Sequence, residues 1–282
     1  MGLRINTNVA SINAQRNLGQ TRLALNKTLE KLSSGQRINR AGDDAAGLAI
    51  SENLKAQIRG LGQAERNAED GISLVQIAEG ALAEVSNIMI RLRELAVQAA
   101  SDTIGSTERK FLNVEFEQLT SEIDRIANST EFNRVPLLNG TGAVFDIQIG
   151  TRNDPITDRL TFDASSADVN VAALGLNLAS VADKISSQNS LSSIDQAIIS
   201  VSGIRADFGA LQNRLQSTIN NIQVSIENLS SANSRVRDTD VAKETAELTR
   251  NNILVQAGTS VLAQANASSR NALQLINSAS QL

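Results

Sequence analysis

The chain has 282 residues, with 26 Lys and Arg against 30 Asp and Glu, a net charge of −4, and only 2 % aromatic residues. It contains neither Cys nor His, which excludes disulfides, thiolate metal sites, cysteine nucleophiles and imidazole acid–base catalysis. The acidic balance gives no global reason to bind nucleic acid, and no run of about 18 apolar residues exists to form a transmembrane helix.

The opening MGLRINTNVASINAQ is polar and lacks the apolar stretch of a cleavable secretory signal. Unless another export route reads this end directly, the chain is expected to stay in the cytoplasm. Ile5, Val9 and Ile12, then Leu18, Leu25, Leu29 and Leu32, mark an amphipathic helix whose register slips by one residue between Ile12 and Leu18. Residues 1–40 carry seven basic side chains against the single acid Glu30, whereas residues 238–282 carry three bases against four acids. No aromatic residue accompanies the amino-terminal charge to stack bases or anchor in lipid. A solvated face on a helix paired with the carboxyl end is therefore expected, rather than a nucleic-acid or membrane surface.

AGDDAAG places Asp43 and Asp44 side by side. Neighbouring helix residues point about 100° apart, too divergent to share a metal or act as an acid–base pair. One of them is expected to cap the helix that carries Leu48 to Ile58. GLG at Gly60 to Gly62 lacks the third glycine and the preceding strand of a dinucleotide-binding turn. Val75, Ala78, Leu82, Val85, Met89, Leu92, Ala96 and Ala99 alternate steps of three and four, with Leu74, Ala81, Ile88 and Leu95 running beside them at steps of seven. This is the seam of a long helix in a bundle or coiled coil. Leu112, Phe116, Leu119, Ile123 and Ile126 repeat the spacing in a shorter helix.

Both prolines, Pro136 and Pro155, fall in the middle of the chain, where the pattern changes. Phe145, Ile147 and Ile149 alternate with Asp146 and Gln148, and Leu160 and Phe162 flank Thr161. That period of two predicts a β-hairpin near 143–163 with a long, turn-rich connection. The stretch from Ser165 to Ser190 reads as loop with little fixed structure. Asn139-Gly-Thr and Asn228-Leu-Ser match a glycosylation pattern short enough to arise by chance.

Ile194, Val201, Phe208, Leu215, Ile222, Leu229 and Val236 then stand seven apart without a missed beat. A helix over this span is roughly 65 Å long at about 1.5 Å per residue, and needs partners of similar length to bury its stripe. After Asp238 a new register begins with Leu248, Val255, Leu262 and Ile276, flanked by Leu254, Val261 and Leu275. The fold class expected is mainly α: a long helical coiled-coil rod with a small β-hairpin, plus paired terminal helices.

The segments EKLSSGQRINRAGDDAAGLAISENLKAQIRGL, AERNAEDGISLVQIAEGAL, RLRELAVQAA, EIDRIANSTEFN and ILVQAGTSVLAQANASSRNALQLI closely resemble bacterial flagellin. They are long, stand in the family's order and cover both ends and most of the chain. The resemblance implies a non-enzymatic structural subunit that polymerises into the flagellar filament of a swimming bacterium, with no cofactor. It implies that residues 1–40 and 240–282 pair as a coiled coil lining the filament core, with 41–239 as an outer helical rod. The family's variable outer domains would be inserted near 180–188 and are absent here. Implied partners are further copies of the chain, sister flagellins, hook–filament junction and cap proteins, an export chaperone and the type III export apparatus. That apparatus delivers the family outside the cell without a cleaved signal.

Family members read by an innate Toll-like receptor use an Arg and a Leu of the RVRELAVQ motif and a Glu on the following helix. Those positions are Arg91, Leu95 and Glu115 here, with Ile90 and Leu92 departing from the family's Gln and Val. Leu95 also belongs to the flank of the seam, so packing competes with receptor exposure as its role. A hook–filament junction protein shares the helical ends, but GTSVLAQAN from Gly258 to Asn266 favours flagellin proper. A serine–carboxylate hydrolase would need a nucleophile beside a base, which no stretch of the sequence presents.

Overall fold

A computed structural model describes residues 7–279, with side chains through Ser268 and at Arg270. Ile5 and the side chains of Leu275 and Ile276 lie outside the described residues. Among the described residues five α-helices dominate: α1 (Val9–Ser34), α2 (Ala45–Ala99), α3 (Ser106–Ser129), α4 (Lys184–Arg237) and α5 (Val241–Ala279). Four short strands fall between α3 and α4: β1 (Glu131–Phe132), β2 (Val135–Pro136), β3 (Val144–Gln148) and β4 (Arg159–Asp163). The chain forms two compact units, one running up to Ala56 and resuming at Leu229, the other spanning Gln57–Asn228.

The central unit is built on the seam of α2. Val75, Ala78, Leu82, Val85, Met89, Leu92, Ala96 and Ala99 are all 0 % exposed, because alternating steps of three and four keep them on one face of an α-helix. Helix α3 returns after a short connection. Arg109 secures that turn by donating from Nε to Ala99 O at 2.8 Å and from Nη2 to Ser101 O at 2.8 Å, which satisfies carbonyls left open at the end of α2. Phe116, Ile123 and Ala127 are the buried residues of α3. Helix α4 contributes Ile194, Val201, Phe208, Leu215 and Ile222, all buried, with Ala197, Leu211 and Ile219 widening the stripe.

Strands β3 and β4 pair antiparallel, with Phe145 opposite Phe162 and Ile147 opposite Leu160. Alternation puts these four side chains on one face of the ribbon, and that face packs on the core. The rings of Phe162 and Phe208 lie 4.9 Å apart and tilted by 46°, so the hairpin is anchored on the middle of the α4 stripe.

The middle of the chain departs from the sequence reading in two places. Strands β1 and β2 form a second, two-residue hairpin, turned by Asn133 and Arg134 at φ 48° and 66°. Such turns favour glycine or asparagine, and an Arg in the second position gives no signal. The stretch from Ser165 to Ser190 is also ordered rather than loose. Val169, Val171, Leu174, Leu176 and Val181 are buried, and the backbone is held from outside. Val169 N donates to Leu138 O at 2.9 Å. Val171 N donates to Asp124 Oδ1 at 2.8 Å, and Val181 N to Asn113 Oδ1 at 3.0 Å. Its buried apolar residues change phase between Val171 and Leu174 and join the same core cluster as the helices, so no single period runs through them. The 180–188 stretch itself covers the end of this segment and the first turn of α4, where Asp183 Oδ1 accepts from Ser186 N at 2.9 Å.

In the other unit, α1 and α5 pack along each other. Ser11, Leu18, Leu25 and Leu32, spaced by seven, form the inward line of α1: Ser11 and Leu18 are buried, Leu25 and Leu32 partly so. Val9 and Ile12, expected on the packed face, are instead 50 % and 56 % exposed. Ser11 takes the seam position, because its hydroxyl donates to Asn266 Oδ1 of α5 at 2.9 Å. With Ser11 rather than Ile12 on the seam, the spacing of seven runs through Leu18 without a slip. The α2 entry is capped by Asp44, whose Oδ1 accepts from Gly47 N at 2.8 Å.

Candidate assembly and recognition surfaces

The first surface is the pair of terminal helices. Asn8 Nδ2 donates to Ala265 O at 2.9 Å, and Lys31 Nζ pairs with Glu244 Oε1 at 2.9 Å. Low numbers on α1 meet high numbers on α5, so the two run antiparallel. Between those contacts, a Cβ at Gly258 would lie 3.2 Å from Leu18 Cδ1, so glycine lets the helices approach closely there. The pair buries one face and leaves other apolar faces open: Val9, Ile12 and Leu23 on α1, and Ile253, Leu254 and Val261 on α5, are each 48–72 % exposed. So many large apolar side chains in the open on two paired helices mark an interaction surface.

Helix α4 ends where the second register begins, and the break is a built junction. Gln36 and Asp238 form a β-bridge. Around it, Arg37 N donates to Arg237 O at 2.7 Å and Thr239 N to Gly35 O at 3.0 Å. Arg237 also reaches Gln36 Oε1 at 3.0 Å and pairs with Glu52. Leu229 and Val236, the last two residues of the seven-member stripe, are partly rather than fully buried here.

Asp43 stands beside this junction. Its carboxylate accepts from Lys27 Nζ at 2.7 Å and from the backbone N–H of Arg40 and Asn39 at 3.2 and 3.3 Å. The Lys27 contact first, then the Arg40 amide, hold its pKa down at about 2. A depressed carboxylate stabilises the fold above its unfolded pKa and loses that contribution as pH falls through the folded value. The window runs from 3.8 down to about 2. Thermal melts across it should show stability falling with pH in the parent chain and a shallower fall in Asp43→Asn. Identical slopes would remove Asp43 from the acid response.

The second surface lies on α2 and α3. Arg91 points outward and donates from Nη2 and Nε to Glu115 Oε1 at 2.7 and 2.9 Å, and from Nη1 to Glu94 Oε2 at 3.0 Å. Glu115 first, then Glu94, push the guanidinium pKa further up. Arg91 and Glu115 thus meet across the two helices. Leu95 does not join them at the surface: it is 0 % exposed and part of the core. Of its two roles, packing is the one its position supports, so Arg91 and Glu115 form the accessible part of the patch. Sequence reasoning missed Phe111 and Val114, 71 % and 57 % exposed on α3. Phe111 precedes Glu115 by one helical turn and shares its face. Their positions outside the Leu112–Phe116–Leu119 seam are the signal that could have found them.

Among the described residues, no helix is long and apolar enough to cross a membrane, and no group of three or more acidic residues could hold a metal ion.

Comparison with known proteins decides the family. The bacterial flagellin N-terminal helical region matches residues 5–143, and the C-terminal helical region matches residues 191–276. Flagellin of Halalkalibacterium halodurans is 47 % identical over 272 residues, covering 96 % of this chain and 99 % of that relative. The chain belongs to the bacterial flagellin family. The flagellar filament 33 kDa core protein of Treponema phagedenis is 43 % identical over 283 residues, again covering 96 % of this chain and 99 % of the relative. The crystal structure of Bacillus cereus flagellin superposes with a TM-score of 0.50 at 34 % identity, covering 56 % of this chain and 88 % of that one. Matching such relatives from end to end, this is a short flagellin without variable outer domains. Flagellin is a structural family, not an enzymatic one.

Proposed function

We propose that this flagellin is the structural subunit that polymerises into the flagellar filament, and that the open faces of α1 and α5 are its main subunit contacts. The observation that carries this reading is the terminal pair itself. It buries one apolar face within the chain and leaves Ile12, Leu23, Ile253 and Val261 in water, a cost that copies of the same surface can remove by stacking. Residues 1–40 and 240–282 would then line the filament core and 41–239 face outward. Electron microscopy of the purified chain, seeded with filament fragments, tests it: long filaments are expected. Short caps on the seeds without elongation would favour a hook–filament junction role instead, and no association at any concentration would overturn polymerisation.

Family membership also supports an extracellular location, export through the type III apparatus with a dedicated chaperone, and contact with junction and cap proteins. For the innate Toll-like receptor, the supporting feature is the Arg91–Glu115 pair with exposed Phe111 beside it. An exposed ion pair contributes little to folding, whereas an interface that excludes water makes the same guanidinium decisive. Arg91→Ala should leave the melting midpoint nearly unchanged while weakening monomer binding to the receptor ectodomain. Equal affinities for the two proteins would exclude Arg91 from the contact.

A further inference from the structure

Asn139 lies just beyond β2, between buried Leu138 and a glycine. Its main chain is clamped on both sides. Val169 N donates to Leu138 O at 2.9 Å, and Asn170 Nδ2 donates to Asn139 O at 2.9 Å. Its side chain turns back over the following peptide: Oδ1 accepts from Thr141 N at 3.0 Å and from Thr141 Oγ1 at 2.7 Å. The amide nitrogen, by contrast, has only a long 3.4 Å contact with Asn128 Oδ1 on the exposed side. Gly140 has φ 71°, and a Cβ there would lie 2.5 Å from Asp168 Oδ2, so the residue after Asn139 stays without a side chain.

We infer that Asn139–Gly140 is a self-modifying site, at which the folded chain converts its own asparagine to aspartate and isoaspartate without an enzyme. The hydrogen bond from Thr141 N to Oδ1 folds the side-chain amide back over the Gly140 peptide, which replaces a free rotor with a restricted approach to the Gly140 nitrogen. Two donors on Oδ1 polarise the carbonyl and stand ready for the negative charge that forms on it. Gly140 presents no side chain to shield the attack.

The chemistry balances with water alone. The Gly140 amide gives its proton to hydroxide, and its nitrogen forms a bond to Asn139 Cγ. The bond from Cγ to Nδ2 then breaks, and the nitrogen leaves as ammonia after taking a proton from water. Water next opens the five-membered imide at either carbonyl, giving aspartate or isoaspartate. One water is consumed, one ammonia is released, and nothing is oxidised or reduced. The product disturbs its surroundings in two ways. The new carboxylate adds a negative charge one residue from Gly140, beside which Asp168 already lies, and isoaspartate lengthens the main chain by one carbon between the two clamping hydrogen bonds. Both loosen the hold of Leu138 and Asn139 on Val169 and Asn170.

Trypsin releases Val135–Arg152, a peptide whose single asparagine is Asn139. The full chain is incubated folded and, in parallel, in urea, and this peptide is followed by mass spectrometry with chromatographic separation of isoaspartate. Deamidation is expected in the folded chain at a rate that rises in proportion to hydroxide and at least equals the rate in urea. Thr141→Val, which removes one donor from an exposed position, should slow the folded reaction several-fold with an unchanged melt, and leave the rate in urea as it was. An intact Asn139 in the folded chain that deamidates only in urea would overturn the inference. A Thr141→Val chain that reacts as fast as its parent when folded would do the same.

Discussion

Phe208→Ala is expected to lower the unfolding free energy by about 3–5 kcal/mol, the usual cost of emptying a buried phenylalanine site. That is a large share of the roughly 5–15 kcal/mol that holds a domain folded. Phe208 is 1 % exposed, and its ring is what Phe162 of the β3–β4 hairpin rests on. Phe162 in turn stacks on Phe145, with centroids 6.4 Å apart and planes 23° from parallel. Truncation therefore opens a cavity and also removes the platform of the hairpin. Ile199→Ala on the same helix is the control: Ile199 is 63 % exposed, and surface changes usually stay within about 0.5 kcal/mol. Urea melts of the three proteins give the comparison. A midpoint for Phe208→Ala indistinguishable from that of Ile199→Ala would mean that the seven-residue stripe does not face a core.

Removal of residues 1–40 and 240–282 should abolish filament formation completely while the remaining chain keeps a cooperative helical melt. The seam of α1 rests on α5 through Leu18 at Gly258, Ser11 at Asn266 and Lys31 at Glu244. None of these belongs to the cluster that runs from Ala68 to Ile219 around α2, α3, α4 and the hairpin. The deletion takes the exposed apolar faces of α1 and α5 away and leaves that cluster whole. Circular dichroism and sedimentation of the fragment check both halves of the expectation. A fragment without helical signal would show that the terminal pair is needed to fold the rest, and a fragment that still polymerises would move the subunit contacts elsewhere.

Much of the architecture was legible because a helix converts spacing directly into direction. Eight residues of α2 chosen by steps of three and four proved to be fully buried, and a pattern of two located β3 and β4 to within a residue or so of the expected hairpin. The change of register after Asp238 coincides with the end of α4 at Arg237 and the start of α5 at Val241. An adjacent pair of acids was legible as a cap rather than a catalytic pair, and Asp44 fills that role.

What periodicity could not convey is which of two compatible faces meets a partner, and what irregular chain rests on. Val9 and Ile12 suit a buried face as well as an open one; Ser11 displaces them because Asn266 of α5 offers its hydroxyl an acceptor. Val169, Val171, Leu174, Leu176 and Val181 are buried in a core cluster shared with residues distant in sequence. The main chain at Asn139 is likewise held by Asn170, about thirty residues further on. By itself the sequence determined the helices, their apolar stripes, the main hairpin and the family, because those follow from local spacing and from long contiguous motifs. Tertiary structure alone decided that Leu95 packs while Arg91 and Glu115 meet at the surface, because burial is set by the element lying opposite and not by the residue's own neighbours.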